Sequence, residues 1–155
     1  DEYVRLDETA EQIVKIAAVA WEPLSQTKLA EIFNACGFKN KGLSLYIKDM
    51  AVILPRLLSA GFLKPSGSQY QCEPAFAQTL CDRQFARDTD FQKIAQAVRQ
   101  QLPLGWHAGS SDTERLFREM RLTRYLDRPG EFSRFFYDLI NRQSSGITQQ
   151  MLIYF

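Results

Sequence analysis

The sequence is poor in the residues on which most catalytic and metal sites depend. Its 155 residues include one histidine and three cysteines. The single His107 follows Trp106 in a turn-rich stretch, where a surface or packing role fits better than that of a general base. No phosphate-binding loop, paired-histidine zinc motif or nucleophile elbow is present. These absences predict a protein that is not an enzyme and needs no cofactor.

The cysteines also argue against a disulfide framework. Cys36, Cys72 and Cys81 are odd in number and lack metal-type spacing, which predicts reduced thiols and a cytoplasmic location. No apolar run approaches the roughly 18 residues that a membrane helix needs, and no signal peptide opens the chain. We therefore expect no membrane partner.

Length and composition fit a globular protein of one domain or two small ones. The chain is 45% hydrophobic and 24% charged, so it can bury a core. Its 19 basic and 18 acidic residues give a net charge of +1. This near-neutral balance neither supports nor excludes nucleic-acid binding, and only local clustering of charge is informative.

The two ends of the sequence suggest a part of something larger. The chain begins at Asp1 without an initiator methionine and finishes on five apolar residues, 151–155 (MLIYF). Such an end would expose an adhesive surface. We expect the chain to be one module of a longer protein.

Hydrophobic spacing and turn residues predict mostly helices. The first half should contain helices at 9–20, at 26–36 and at 44–60, and then a hairpin that pairs 62–64 with 69–72. Ser25 is a predicted N-cap and Gly37 a predicted C-terminal stop, while Pro55 should kink or split the third helix. The second half should be helical at 75–87, 89–102, 111–125, 130–142 and from 148 onward.

The first 74 residues resemble the winged-helix superfamily. Residues 24–32 (LSQTKLAEI) resemble the start of many helix-turn-helix units, and 57–63 (LLSAGFL) resemble a recognition helix that runs into the wing. Gly67 and Tyr70 then resemble the wing itself. The long link between the second and third helices and the proline at 55 depart from the usual pattern. A winged helix followed by arginine-bearing helices is similar in arrangement to the front of a large bacterial regulator or a Swi/Snf-type helicase.

The fold prediction is mainly α with two domains. Residues 1–74 form a winged helix-turn-helix with a small β-hairpin wing. Residues 75–155 form an antiparallel helical bundle or helical-repeat segment, which continues beyond the end of this chain.

A local excess of basic residues gives the leading functional prediction. Residues 25–74 hold six basic and three acidic side chains, whereas residues 1–24 hold two basic and six acidic ones. Such an asymmetry favours low-specificity binding of duplex DNA within a larger regulatory or remodelling protein. The predicted contacts are Lys39, Lys41, Lys48, Arg56, Lys64, Ser66 and Ser68.

The alternative is a protein-interaction scaffold. In this interpretation the winged helix is structural, and the aromatic-rich helical half docks a protein partner or other domains of the same longer chain. The arginines at 115, 118, 121, 124 and 128 are predicted to lie on a solvated helix face with neighbouring acids. The aromatic residues Phe117, Tyr125, Phe132, Phe135, Phe136 and Tyr137 are predicted to pack in the core.

Overall fold

The computed structural model describes residues 6–105, 110–126 and 129–141. These residues form a mainly helical protein with one two-stranded antiparallel sheet, which confirms the predicted mainly α class. The elements in chain order are α1 (Glu8–Ala20), α2 (Gln26–Ala35), α3 (Ile47–Ser59), β1 (Leu63–Ser66), β2 (Gln69–Cys72), α4 (Pro74–Gln84), α5 (Thr89–Gln101), α6 (Ser110–Tyr125) and α7 (Pro129–Asn141).

Helix α1 lies at the centre of the protein. The carboxylate of Asp7 caps its start by accepting a hydrogen bond from the Ala10 backbone N–H at 2.9 Å. Every residue from Gln12 to Ala20 is buried, and α1 contacts α2, α3, α4, α5, α6 and β2. A helix enclosed on all sides needs apolar or paired side chains all round, and its alanine-rich sequence supplies most of them.

Helices α2 and α3 pack on α1 and on each other. Both predicted signals of α2 are confirmed: Ser25 Oγ accepts from the Lys28 backbone N–H at 3.1 Å, and Gly37 has a φ of +79°. Helix α3 is shorter than predicted and is not split at Pro55. Proline lacks the N–H that would bond the Ala51 carbonyl, but both residues are exposed, so water can reach that carbonyl.

The predicted hairpin is confirmed, and an isolated bridge extends it. Tyr70 of β2 exchanges two backbone hydrogen bonds with Leu24, of 2.8 and 2.9 Å. Its backbone groups therefore point away from β1, and those of its partner Pro65 point toward the open edge of β1. The proline thus costs no hydrogen bond within the sheet, and it removes one donor from the open edge.

The later helices also agree with the sequence. Helices α5, α6 and α7 begin and end within one residue of their predicted bounds, while α4 ends at Gln84, three residues before the prediction. The predicted helix from 148 lies outside the described residues. No helix in the described ranges is both long and apolar enough to cross a membrane.

One continuous core joins the two halves of the described chain. It runs from Ala10 of α1 through the hairpin and α4 to Leu122 of α6. A smaller cluster lies between α6 and α7 and includes Phe117 and Phe135. The predicted division into domains 1–74 and 75–155 remains a prediction.

The aromatic residues of the second half are only partly buried. Phe117 and Phe135 are core residues, as predicted. The prediction is wrong for Phe136 and Tyr137, which are 42% and 67% exposed. Phe136 stacks on Phe132, with the ring centres 6.2 Å apart, but neither Phe136 nor Tyr137 belongs to the cluster between α6 and α7.

Candidate functional site

Helix α3 uses only one side for packing. Its inner side buries Met50, Ile53, Leu54 and Leu57. Its other side is exposed. Apart from Ser59 at the end of the helix, which is also exposed, we call the following six residues the outer face of α3: Ile47, Lys48, Ala51, Val52, Pro55 and Arg56. A solvent-facing helix side normally carries polar residues, so an outer face with four apolar residues out of six is unusual.

Large apolar side chains concentrate around the start of this face. Leu43 is 68% exposed, Tyr46 57%, Ile47 47% and Val52 66%. Tyr46, Ile47 and Val52 lie within the helix predicted at 44–60, but their exposure was not predicted from the sequence. The available signal was the number of apolar residues in this helix, because they cover more of its circumference than one packed stripe needs.

A tight turn in the link before α3 exposes Leu43. Asn40 and Leu43 exchange backbone hydrogen bonds of 2.8 and 3.0 Å. Between them, Lys41 has a φ of +51° and Gly42 a φ of +82°, which are the left-handed conformations of a type I′ turn. Lysine is strained in this conformation, so the turn is held by its surroundings.

Side chains from α1 and α2 hold the link between α2 and α3. The Asn34 side chain accepts from the Leu45 backbone N–H at 2.8 Å and donates to the Leu45 carbonyl at 2.9 Å. Thr9 of α1 donates its hydroxyl to the Asn40 side chain at 3.3 Å. Leu45 itself is buried. The long link that separates the two helices is therefore tied to the core at two points.

The predicted nucleic-acid contacts lie in two groups. Lys39 and Lys41 are in the α2–α3 link, and Lys48 is at the start of α3, so these three lie near one end of the helix. All three are exposed. The second group belongs to the hairpin: Lys64 and Ser68 are exposed, and Ser66 is half-buried.

Arg56 is the seventh predicted contact, and its side chain already forms an ion pair with Asp7. Its Nη1 lies 3.0 Å from Oδ2 of Asp7, and both side chains are about half exposed. An exposed pair of this kind is weak and can open. It nevertheless places an acidic group beside the later part of the outer face, which lowers the positive potential there.

The arginines of α6 contradict the predicted solvated face. Arg118 is fully buried, and Arg121 is 4% exposed. Arg118 donates to the Leu102 carbonyl at 2.7 Å and to Glu119 at 2.8 Å. Burial is the main cause that lowers the pKa of Arg118, and the charge of Glu119 opposes that effect. Glu119 of α6 and Glu22 of the α1–α2 link supply the negative charge beside Arg118 inside the protein, and spacing along one helix could not reveal the contribution of Glu22.

Two further acid–arginine contacts complete this buried network. Arg115 forms a two-pronged pair with Glu22, at 2.9 and 3.1 Å. Arg99 of α5 lies 2.7 Å from Glu119. Each of the two buried carboxylates therefore pairs with an arginine other than Arg118. Of the five arginines predicted to lie on a solvated face, Arg124 is exposed as predicted, and Arg128 lies outside the described residues.

Arg121 is held by aromatic and amide groups. Its guanidinium lies 3.6 Å from the centre of the Trp21 ring, close enough for a cation–π contact. It also donates to the Gln78 side chain at 3.2 Å. These contacts join α6 to α4 and to the end of α1, so Arg121 is a structural residue.

A buried lysine links α1 to the start of α5. Lys15 is 4% exposed, and its Nζ lies 2.6 Å from Asp88 and 2.8 Å from Glu11. Burial is the largest single influence on its pKa and lowers it. The hydrogen bonds and charges of Asp88 and Glu11 together outweigh burial, so the pKa is raised above the ordinary 10.5. Lys15 is therefore charged at neutral pH and unsuited to act as a nucleophile.

The thiols have the character of packing groups. Cys36, Cys72 and Cys81 are free. Burial raises the pKa of Cys36 and of Cys72 to about 12 and that of Cys81 to about 11. A reactive thiol needs a lowered pKa, so these thiols are poor nucleophiles. Among the described residues, no group of three or more His, Cys, Asp or Glu could hold a metal ion. His107 lies outside them.

Comparison with known proteins gives no relative. The chain matches no protein-family model, no curated protein and no solved structure.

Proposed function

We propose that this chain is a non-catalytic, winged-helix protein-interaction module, part of a larger regulatory or remodelling protein, and that the outer face of α3 is its docking surface. The observation that carries this proposal is the exposure of Leu43, Tyr46, Ile47 and Val52 within ten residues of sequence. Exposed apolar side chains grouped in this way are typical of a surface that a partner covers.

The order of elements supports the winged-helix part of the proposal. Three helices precede a two-stranded hairpin, and Leu24, between the first two helices, pairs with Tyr70 of the hairpin. The third helix follows a loop and immediately precedes the hairpin, as the resemblance at residues 24–32 and 57–63 implies. In this interpretation α3 takes the place of a recognition helix.

The side chains on α3 favour a protein partner over base recognition. Bases are read mainly by arginine, lysine, asparagine and glutamine. The outer face offers Lys48 and Arg56 for this purpose, and Arg56 pairs with Asp7. Ile47 and Val52 would instead face the hydrated groove of a duplex without burying their apolar surface in a matching site.

Low-specificity binding of duplex DNA is the second candidate. The observation in its favour is the exposure of Lys39, Lys41, Lys48 and Lys64, together with the hydroxyl of Ser68 at the hairpin turn. Such contacts would engage phosphates and would weaken steeply as salt rises.

Photo-crosslinking separates the two candidates. A photoreactive amino acid is placed at position 52 in the full-length protein, in its native cells, and at the exposed position Gln96 on α5 as a control. A protein adduct formed at 52 and not at 96 supports docking. A nuclease-sensitive adduct at 52 supports DNA binding. The absence of any adduct at 52 contradicts both roles for this face.

Anisotropy measurements with labelled duplex DNA at about 50 and 200 mM salt give an independent check. Loss of low-salt binding when Lys39, Lys41, Lys48 and Lys64 are changed to alanine would favour DNA. Unaffected or undetectable DNA binding, together with the protein adduct, leaves docking as the function.

A further inference from the structure

We propose that the partner segment which the outer face of α3 binds is an acidic amphipathic helix. This inference rests on the proposed docking function and specifies the chemistry of its partner. It is carried by three features of the surface: its apolar spacing, the sign of the charges beside it and the rigidity of its surroundings.

The apolar spacing suits a helix. Ile47, Ala51 and Pro55 form one row of the outer face, at intervals of four residues, and Lys48, Val52 and Arg56 form the next row. The small Ala51 follows the larger Ile47 in the first row and is next to Val52 in the second, so its short side chain leaves room for a side chain of a second helix. Ridges of a second helix fit such depressions. With 13 residues, α3 offers about 20 Å of length to that partner.

The charges beside the start of this face are positive, whereas Asp7 offsets the charge of Arg56 at its later part. From residue 39 to residue 56 the chain has four basic residues and one acidic residue. The acidic residue, Asp49, accepts a hydrogen bond from the Tyr46 backbone N–H at 2.9 Å and is therefore directed at the helix end. Lys48 lies 5.7 Å from the centre of the Tyr46 ring, so a cation borders the apolar surface directly.

A partner must match both the apolar side chains and the positive charges of this surface. Phosphates would satisfy the lysines but would leave Ile47 and Val52 uncovered. An uncharged apolar helix would cover those two residues but would bury or displace Lys48. Carboxylates placed beside apolar side chains on one helix satisfy both requirements, and complementary charges also speed encounter.

The surroundings of the surface are fixed before binding. The hydrogen bonds of Asn34 to Leu45 and of Thr9 to Asn40 hold the α2–α3 link against the core. Little ordering is then needed when a partner binds. The nearby sheet edge is a poor alternative for an added strand, because Pro65 removes a backbone donor from it.

Designed peptides test this inference directly. Three labelled peptides of about 18 residues are titrated into the ¹⁵N-labelled chain. One is an amphipathic helix with leucines on one side and glutamates elsewhere, the second has lysine in place of each glutamate, and the third is a non-amphipathic scramble of the first. We expect only the first to bind, with amide shifts concentrated at residues 43–56.

Charge reversal provides the decisive variant. Changing Lys39, Lys41 and Lys48 to glutamate should weaken binding of the acidic peptide by about tenfold or more, since three rim charges each contribute a fraction of a kcal/mol, and should permit binding of the basic peptide. Val52→Asp should abolish binding of either peptide. The control Arg83→Glu/Arg87→Glu reverses exposed charges on and just after α4 and should leave binding unchanged.

Failure of this inference can be told apart from failure of the proposed function. If the acidic peptide does not bind, or shifts residues away from 43–56, while the protein adduct at position 52 persists, the acidic-helix partner is wrong and docking stands. If duplex DNA shifts residues 43–56 and no peptide does so, both proposals are wrong.

Discussion

The buried network around Glu119 provides the sharpest test of the packing described above. Glu119 accepts hydrogen bonds from Arg118 at 2.8 Å and from Arg99 at 2.7 Å. Arg118 is fully buried, and its next carboxylate, on Glu22, is 3.9 Å from Nη1. Glu119→Gln therefore leaves a buried arginine without its close counter-ion. We expect it to lower the free energy of unfolding by about 3 kcal/mol, at the low end for a broken buried pair, because the amide oxygen can still accept one bond.

Replacing Arg118 should lower the free energy of unfolding by less than replacing Glu119. In Arg118→Met, Glu119 keeps Arg99 and Glu22 keeps Arg115, so neither carboxylate is stranded. The main loss is the hydrogen bond to the buried Leu102 carbonyl, worth about 1 to 2 kcal/mol. Since methionine has a similar length, no large cavity is expected.

A double-mutant cycle then decides whether this reasoning holds. The variant Arg118→Met/Glu119→Gln should be about as stable as Arg118→Met alone, which gives a coupling of about 2 to 3 kcal/mol. Urea denaturation followed by circular dichroism supplies the free energies. If Arg118→Met proves as damaging as Glu119→Gln, or if the two losses simply add, the network does not hold α6 in the way described.

Three smaller predictions concern the link before α3 and the centre of the core. Asn34→Ala should cost about 1 to 2 kcal/mol in urea denaturation, because both backbone groups of Leu45 lose their partner, and Asn34→Asp should also destabilise, because it keeps the acceptor but sets a second oxygen against the Leu45 carbonyl. Lys41→Gly should raise the free energy of unfolding by about 1 kcal/mol, because glycine adopts the left-handed backbone conformation of this position without strain. It should nevertheless weaken binding of the acidic peptide, because a positive charge is lost. Because the pKa of Lys15 is raised, its stabilising contribution is complete below pH 10.5 and lost as pH rises through the raised value. The stability difference between wild type and Lys15→Met should therefore shrink in strongly alkaline urea titrations.

Local features of the fold were predictable because they depend on neighbours in sequence. The cap at Ser25, the stop at Gly37 and the hairpin around Gly67 each follow from the chemistry of a few adjacent residues, and all are present. The chain does not break at Pro55, where Ala51 and Pro55 are both exposed and water can reach the carbonyl that lacks a helical donor, and solvent exposure is a tertiary property that the sequence does not display.

Long-range pairing explains what the sequence could not predict. Arg115 meets Glu22 across 93 residues, and Lys15 meets Asp88 across 73. Spacing along α6 indicates only partners within that helix, so its arginines looked suited to solvent. The same limit affects the candidate site: the lysines were identified from local charge, but the exposure of Val52 depends on which side of α3 the core occupies.

The buried charges and the exposed apolar residues together bear on function. The chain buries Arg118 and Arg121, which need matched partners, while it leaves Leu43 and Val52 largely in water. Polar residues at the outward positions of α3 would improve solubility without disturbing the inner side of the helix. Selection for stability or solubility alone does not account for the apolar outer face. The partner proposed above would account for it, and also for the side-chain hydrogen bonds that hold the link before α3 in place.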